Sequence, residues 1–257
     1  LVGPESHWPQ LKVLILVVSD SKKAVSSTAG MQTSVETSPL LQHRANAVVP
    51  ERMFEMEAAY KRRDFAAFAT LAMQDSNQFH ATCLDTHPPI FYLTDASRAV
   101  IQMCHAFNQA SGAVRVGYTF DAGPNAVLLM QEADMPAVLA AVMKYFPPSD
   151  AKADASFVNK AELRKAAEAA SLPPGMAEKF KLSVPGAIKY VYATGIGPGA
   201  ARLADGKSLA DAKGEPLELK AVTSSGGGSR GKMKLLAGLA VVPEQPVAVR
   251  RRREPEA

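Results

Sequence analysis

The stretch Y-T-F-D-A-G-P-N-A-V, Tyr118 to Val127, decides how this chain is read. A β-rich run from Val114 to Phe120 delivers one carboxylate, Asp121, into a Gly-Pro-Asn turn, and a second apolar run, Ala126 to Met130, leads away. β-branched and aromatic residues flanking turn punctuation predict strand, turn and strand. Gly123 tolerates unusual dihedrals and Pro124 fixes its own, so the acid is expected at a defined strand end where a substrate can approach. An aspartate at such a place also closes ordinary Asx turns, and the turn alone leaves both roles open.

The elements around this unit alternate between strand and helix. Val13 to Val18 is a continuous apolar, β-branched run and is predicted to be a buried strand. After Lys22-Lys23 comes Ser26-Ser27-Thr28-Ala29-Gly30-Met31, opening a helix-compatible stretch through Val35. Hydroxyls and small residues at a helix start can receive an anion, because the first backbone N–H groups lack intrahelical partners; ordinary N-capping by Ser27 or Thr28 uses the same residues. From Val49 to about Leu84 the pattern predicts two helices broken near Arg63-Asp64, with Phe65, Phe68, Ala72 and Phe79 on the core face. The second of them carries the polar run Asp75 to His80, expected to line a cleft or an interface. Ala96 to Phe107 is a further helix, and Val138, Leu139, Val142 and Phe146 mark another after the acid turn. Residues 149–185 are expected to form a mobile excursion with helical pieces, and Ile188 to Tyr192 a last strand leaving through Gly195-Ile196-Gly197-Pro198-Gly199.

Several function classes are set aside on chemistry. His80, Cys83 and His87 lack a second ligand pair at zinc spacing, so no metal ligands are assigned. Gly226 to Lys232 spells G-x-x-x-x-G-K, but Met233 stands where a P-loop carries its Mg²⁺-binding hydroxyl. G-x-G-P-G after a strand is a weak phosphate-loop signal and is read as an exit turn. Cys83 and Cys104 fall on predicted helices and read as core residues of a reducing compartment. Residues 221–257 hold seven Lys or Arg and three Glu, a net +4 equal to the +4 of the whole chain. The basic excess therefore belongs to the tail, and no nucleic-acid partner is expected for the folded part. No apolar run approaches the roughly 20 residues of a membrane span. The chain starts at Leu1 without a secretory leader, so the expectation is a cytosolic fragment whose true start lies upstream.

Three segments taken together, Ser26 to Leu41 (S-S-T-A-G-M-Q-T-S-V-E-T-S-P-L-L), Met73 to Ile90 (M-Q-D-S-N-Q-F-H-A-T-C-L-D-T-H-P-P-I) and Tyr118 to Val127, resemble the diphosphomevalonate decarboxylases. These belong to the wider family of small-molecule kinases that includes the galactokinases, homoserine kinases and mevalonate kinases. The resemblance runs over about residues 1 to 200. It implies the C-terminal α+β half of that kinase fold, an antiparallel sheet with packed helices over residues 1–220, followed by an atypical, flexible basic tail at 221–257. It also implies ATP- and Mg²⁺-dependent phosphorylation of the 3-hydroxyl of 5-diphosphomevalonate, then loss of phosphate and CO₂ to give isopentenyl diphosphate for isoprenoid and sterol biosynthesis. By the same resemblance Asp121 matches the catalytic aspartate, Ser27 and Thr28 match the segment contacting the substrate diphosphate, and the protein is a homodimer. The family's ATP loop and a substrate-binding arginine lie in the N-terminal half, so this chain alone is expected to be inactive. T-G-I-G-P-G-A at Thr194 to Ala200 departs from the family's T-Q-V-G-x-G-P. Two other classes remain: a non-catalytic remnant acting as a dimerisation or binding module, and a nucleic-acid or membrane-surface module built on Arg250 to Arg253.

Overall fold

Strand β1 (Leu11–Val17) is the spine of the molecule. In the computed structural model, which describes residues 2–18, 25–150, 154 and 156–200, it lies between β3 (Ala126–Gln131) and β4 (Tyr190–Gly195), with β2 (Val116–Phe120) outside β3. The order is β2-β3-β1-β4 and every pairing is antiparallel, with Phe120 opposite Ala126, Leu14 opposite Leu128, and Leu14 opposite Ala193 on the other side. Side chains alternate along each strand, so Leu14, Leu16, Tyr118, Phe120, Leu128, Met130, Val191 and Ala193 all enter the core. The other face is covered less completely: Val13, Ile15 and Val127 are half-buried and Tyr192 is exposed.

Both sheet edges are closed by an asparagine. An edge strand offers unpaired N–H and C=O groups that need partners. On β2, Asn108 Oδ1 accepts the Val116 N–H (3.0 Å) and its amide donates to the Val116 carbonyl (2.8 Å). On β4, Asn159 Oδ1 accepts the Ala193 N–H (2.7 Å), and Val158 bridges to Val191.

The helices are α1 (Ser27–Thr37), α2 (Pro39–His43), α3 (Val49–Arg62), α4 (Phe65–Asp85), α5 (Asp95–Ser111), α6 (Met135–Tyr145), α7 (Ala161–Ala169) and α8 (Met176–Lys179); a π-helical turn, Arg44–Val48, joins α2 to α3. The expected break at 63–64 is real. Arg63 is left-handed (φ 55°), ending α3, and Asp64 caps α4 through the Ala67 N–H. On α5, Thr94 and Ser97 make a reciprocal capping box and left-handed Gly112 (φ 67°) ends the helix. Cys83 and Cys104 are buried free thiols, as read from the sequence.

Two expectations need correction. The core face of α4 is Phe65, Ala69, Met73, Ser76, His80 and Cys83, whereas Phe68, Ala72 and Phe79 are only half-buried. Ser76 turns inward because β2 supplies it with a partner, the Phe120 N–H. Residues 149–185, expected to stand apart, contribute Phe157, Ala167, Met176 and Phe180 to the main core, and Arg164 of α7 holds Asp154 by its side chain and carbonyl. The tail at 221–257, with its G-x-x-x-x-G-K and Arg250 to Arg253, lies outside the described residues, as do Lys22 and Lys23.

Candidate active site

Asp121 immediately follows β2 and is exposed. The turn behind it is held by groups from four distant places. Ser76 Oγ on α4 accepts the Phe120 N–H (3.0 Å), Asn125 Oδ1 accepts the Val18 N–H at the end of β1 (2.9 Å), and Ser97 Oγ at the start of α5 donates to the Pro124 carbonyl (3.3 Å). Ala122 packs against a small cluster formed by Cys83, Ile90 and Tyr92. The turn itself closes through the backbone, Gly123 N–H donating to the Asp121 carbonyl at 2.8 Å.

Among the described residues no side chain hydrogen-bonds or pairs with the Asp121 carboxylate, so the Asx-turn use of this aspartate is not the one realised. Gly123 corrects a second expectation. The left-handed glycines among the described residues are Gly112, Gly175 and Gly186, so Gly123 is in the turn as a small buried residue and not for its dihedral freedom.

The other candidate segment begins α1. Its N-cap is Ser26, whose Oγ accepts the Ala29 N–H (3.1 Å), and not Ser27 or Thr28 as expected. Ser27 and Thr28 become the first two helical residues, half-buried and exposed respectively. Gly30 is small for a reason the sequence did not reveal. A Cβ there would stand 2.4 Å from the Tyr92 hydroxyl and 3.3 Å from Ile90 Cδ1. Tyr92 in turn donates to the Ser26 carbonyl (3.2 Å). The cluster that receives Ala122, the residue after Asp121, thus also receives Gly30 in the first turn of α1.

His80 and the charges below it went unassigned in the sequence. The His80 ring lies within α4's buried face, edge-on to Phe120 at 6.3 Å, and its Nε2 has no hydrogen-bond partner. Burial pushes its pKa below the ordinary imidazole value, while the neighbouring Phe120 backbone and the Asp121 charge pull the other way. One turn earlier, Asp75 receives Arg44 (2.8 Å) and Arg52 (3.0 Å), and Gln78 Oε1 takes a second bond from each. Burial acts to raise the Asp75 pKa, but the two guanidinium groups outweigh it and hold the carboxyl below its usual range. This network explains much of the polar run Asp75 to His80: it ties the turn at 44–48 and α3 to α4.

The family described as "Mevalonate 5-diphosphate decarboxylase C-terminal domain" matches residues 13–203. The chain belongs to this family. Among curated decarboxylases, the rat protein (Rattus norvegicus) is 50% identical over 209 residues, covering 79% of this chain and 50% of the rat enzyme. The human protein (Homo sapiens) is 50% identical over 204 residues, with the same coverage of each. The solved mevalonate diphosphate decarboxylase from Trypanosoma brucei superposes with a TM-score of 0.72 at 35% identity, over 81% of this chain and 54% of that one. A mevalonate 5-diphosphate decarboxylase solved at 2.3 Å superposes with a TM-score of 0.64 at 40% identity, over 82% and 53%. The expected α+β fold, an antiparallel sheet with helices packed on it, is therefore the decarboxylase C-terminal fold. The chain spans about half the length of the relatives it matches. No helix among the described residues is long and apolar enough to cross a membrane.

Proposed function

We propose that this chain is the C-terminal half of an ATP-dependent decarboxylase that converts 5-diphosphomevalonate to isopentenyl diphosphate, with release of ADP, phosphate and CO₂. The observation that supports it best is Asp121: an exposed carboxylate with no partner among the described residues, on a turn tied down from α4, α5, β1 and the Tyr92 cluster. A carboxylate so held can accept the proton or hydrogen bond of a substrate hydroxyl without first breaking a bond of its own. Ser27 and Thr28, at the start of α1, are assigned to the substrate diphosphate. Ala29's N–H is already committed to the Ser26 side chain.

Bound Mg²⁺-ATP would supply the transferred phosphoryl group and neutralise its charge. Among the described residues no three carboxylate, imidazole or thiol side chains stand together as a metal site of their own, and a magnesium carried by the nucleotide is held mainly by phosphate oxygens. By the resemblance the nucleotide is assigned to the N-terminal half of the protein. A homodimer in the cytosol completes the reading.

The test is CO₂ release from carboxyl-labelled diphosphomevalonate with Mg²⁺-ATP, by the 257-residue chain and by the same chain joined to the N-terminal half of the rat relative. Release is expected from the joined protein and not from the chain alone. In the joined protein Asp121→Asn should lower kcat by about 10²- to 10⁴-fold with KM little changed. Turnover retained by Asp121→Asn would remove the role given to this residue, and a joined protein that folds but binds no nucleotide would make the chain a binding module.

A further inference from the structure

Among the described residues two buried side-chain atoms lack a hydrogen-bond partner, His80 Nε2 and the Tyr145 hydroxyl. Tyr145 ends α6 and packs edge-on against Phe180 at 4.9 Å, a place with no link to the acid turn. His80 is set differently. It follows Ser76 by one turn of α4, and Ser76 holds the Phe120 N–H; three residues further on, Cys83 belongs to the cluster that receives Ala122. The His80 ring lies between these two, against Phe120, the residue before Asp121, and against Phe79 at 4.9 Å. One helix face thus grips the end of β2 on both sides of the catalytic candidate. An apolar ring would fill the same space without leaving a nitrogen unpaired, so packing alone does not account for an imidazole here.

We infer that His80 is a positioning residue for Asp121, its buried ring bracing the Phe120–Asp121 peptide from below so that the carboxylate stays turned toward the substrate. This rests on the reading of Asp121 as the acid that meets the substrate hydroxyl.

The ring is also placed to report on its neighbour. The titratable groups around it are Asp121 at the end of β2, Cys83 on its own helix, and Tyr92 in the adjoining cluster. Burial raises the pKa of both Cys83 and Tyr92, leaving them uncharged at neutral pH. Asp121 is then the charge the ring senses, and it favours the protonated imidazole against the burial that disfavours it.

The experiment is a pH titration of the His80 ring by long-range ¹H–¹⁵N correlation in the 257-residue chain, native and Asp121→Asn. Asp121 is exposed, so the substitution leaves the fold intact. The native ring should titrate below free imidazole, and Asp121→Asn should move it lower still by roughly a few tenths of a pH unit. A ring indifferent to Asp121→Asn overturns the inference. A second measurement, on the protein joined to the N-terminal half of the rat relative, separates positioning from folding: His80→Phe should lower kcat about tenfold with KM within about twofold, the pattern of an interaction lost in the transition state. Native kcat in His80→Phe would also overturn it. If the joined protein releases no CO₂ but the titration still shifts, the contact stands and it is the proposed function that fails.

Discussion

The two segments assigned to the site are held in opposite ways. The turn at Asp121 is fixed from a distance: Ser76, Ser97 and Asn125 bind its backbone or carry it to β1, across separations of 44, 27 and 107 residues. The start of α1 is fixed locally, by Ser26 bonding three residues along its own chain, with Tyr92 as the external tie described above. Further ties among the described residues lie at its other end, where Ser34 meets Thr86 (2.7 Å), Ser38 meets Asp85 (2.6 Å) and Thr37 receives the His87 N–H. A proton acceptor must be aimed before the substrate arrives, so rigidity suits it. A group that receives a diphosphate, whose charge is spread over several oxygens, can afford to adjust.

The strongest way to break this contrast is to loosen the acid's scaffold. Gly117 of β2 lies so close to α4 that a Cβ would stand 2.8 Å from Ala69 Cβ and 3.2 Å from Ala69 Cα. The obstacle is helix backbone, not a flexible tip, so Gly117→Ala must push α4 from β2 and disturb the Ser76 bond three residues along. The expected cost is about 1–3 kcal/mol, typical of overpacking. At roughly 2–4 °C per kcal/mol for a domain of this size, calorimetry of the chain resolves it. An unchanged Tm would mean that the contact is looser than the geometry implies.

Asn125→Ala comes next. It strips the Val18 N–H of its partner at the junction of β1 and the turn, a half-buried donor whose loss is worth about 1–2 kcal/mol. Because the bond lies behind Asp121, kcat in the joined protein should fall more than KM rises. The reverse pattern would show that this side of the turn handles binding.

How much of this was legible follows from which forces are local. β1, the β2–β3 hairpin and the helix break at Arg63-Asp64 depend on apolar period and turn residues, and the sequence reading located each within a few residues. The inward face of α4 was misjudged because Ser76 and His80 look polar until β2 is beside them; Ser76's partner is a backbone N–H 44 residues away. Three consecutive hydroxyls, Ser26, Ser27 and Thr28, all satisfy the N-cap preference, and the entry direction of the chain made Ser26 the cap. The small residues at the start of α1 read as suited to an anion, while the structure gives the space at Gly30 to Tyr92. For Ser76 and Gly30 the missing knowledge was a partner from another element. One signal was available for His80: a histidine four residues after Ser76 on an otherwise apolar stripe, Phe65, Ala69, Met73, Cys83.

The smallest expected effect sharpens the comparison from the other side. Ser26→Ala removes a cap that is exposed to solvent, so water can take over the Ala29 N–H and the stability cost should be about 0.5–1 kcal/mol, at the low end for caps. Its functional consequence should differ in kind from that of Asn125→Ala. Fraying the first turn of α1 moves Ser27 and Thr28 but leaves Asp121 in place, so KM for diphosphomevalonate should rise while kcat holds. Tyr92→Phe, which withdraws the hydroxyl from the Ser26 carbonyl, should act in the same direction and more weakly, since Gly30 still packs under the ring. If instead Ser26→Ala lowered kcat as Asn125→Ala is expected to, the two segments would be one mechanical unit joined through the Cys83–Ile90–Tyr92 cluster. The division into a rigid acid and an adjustable anion-binding end would then be wrong.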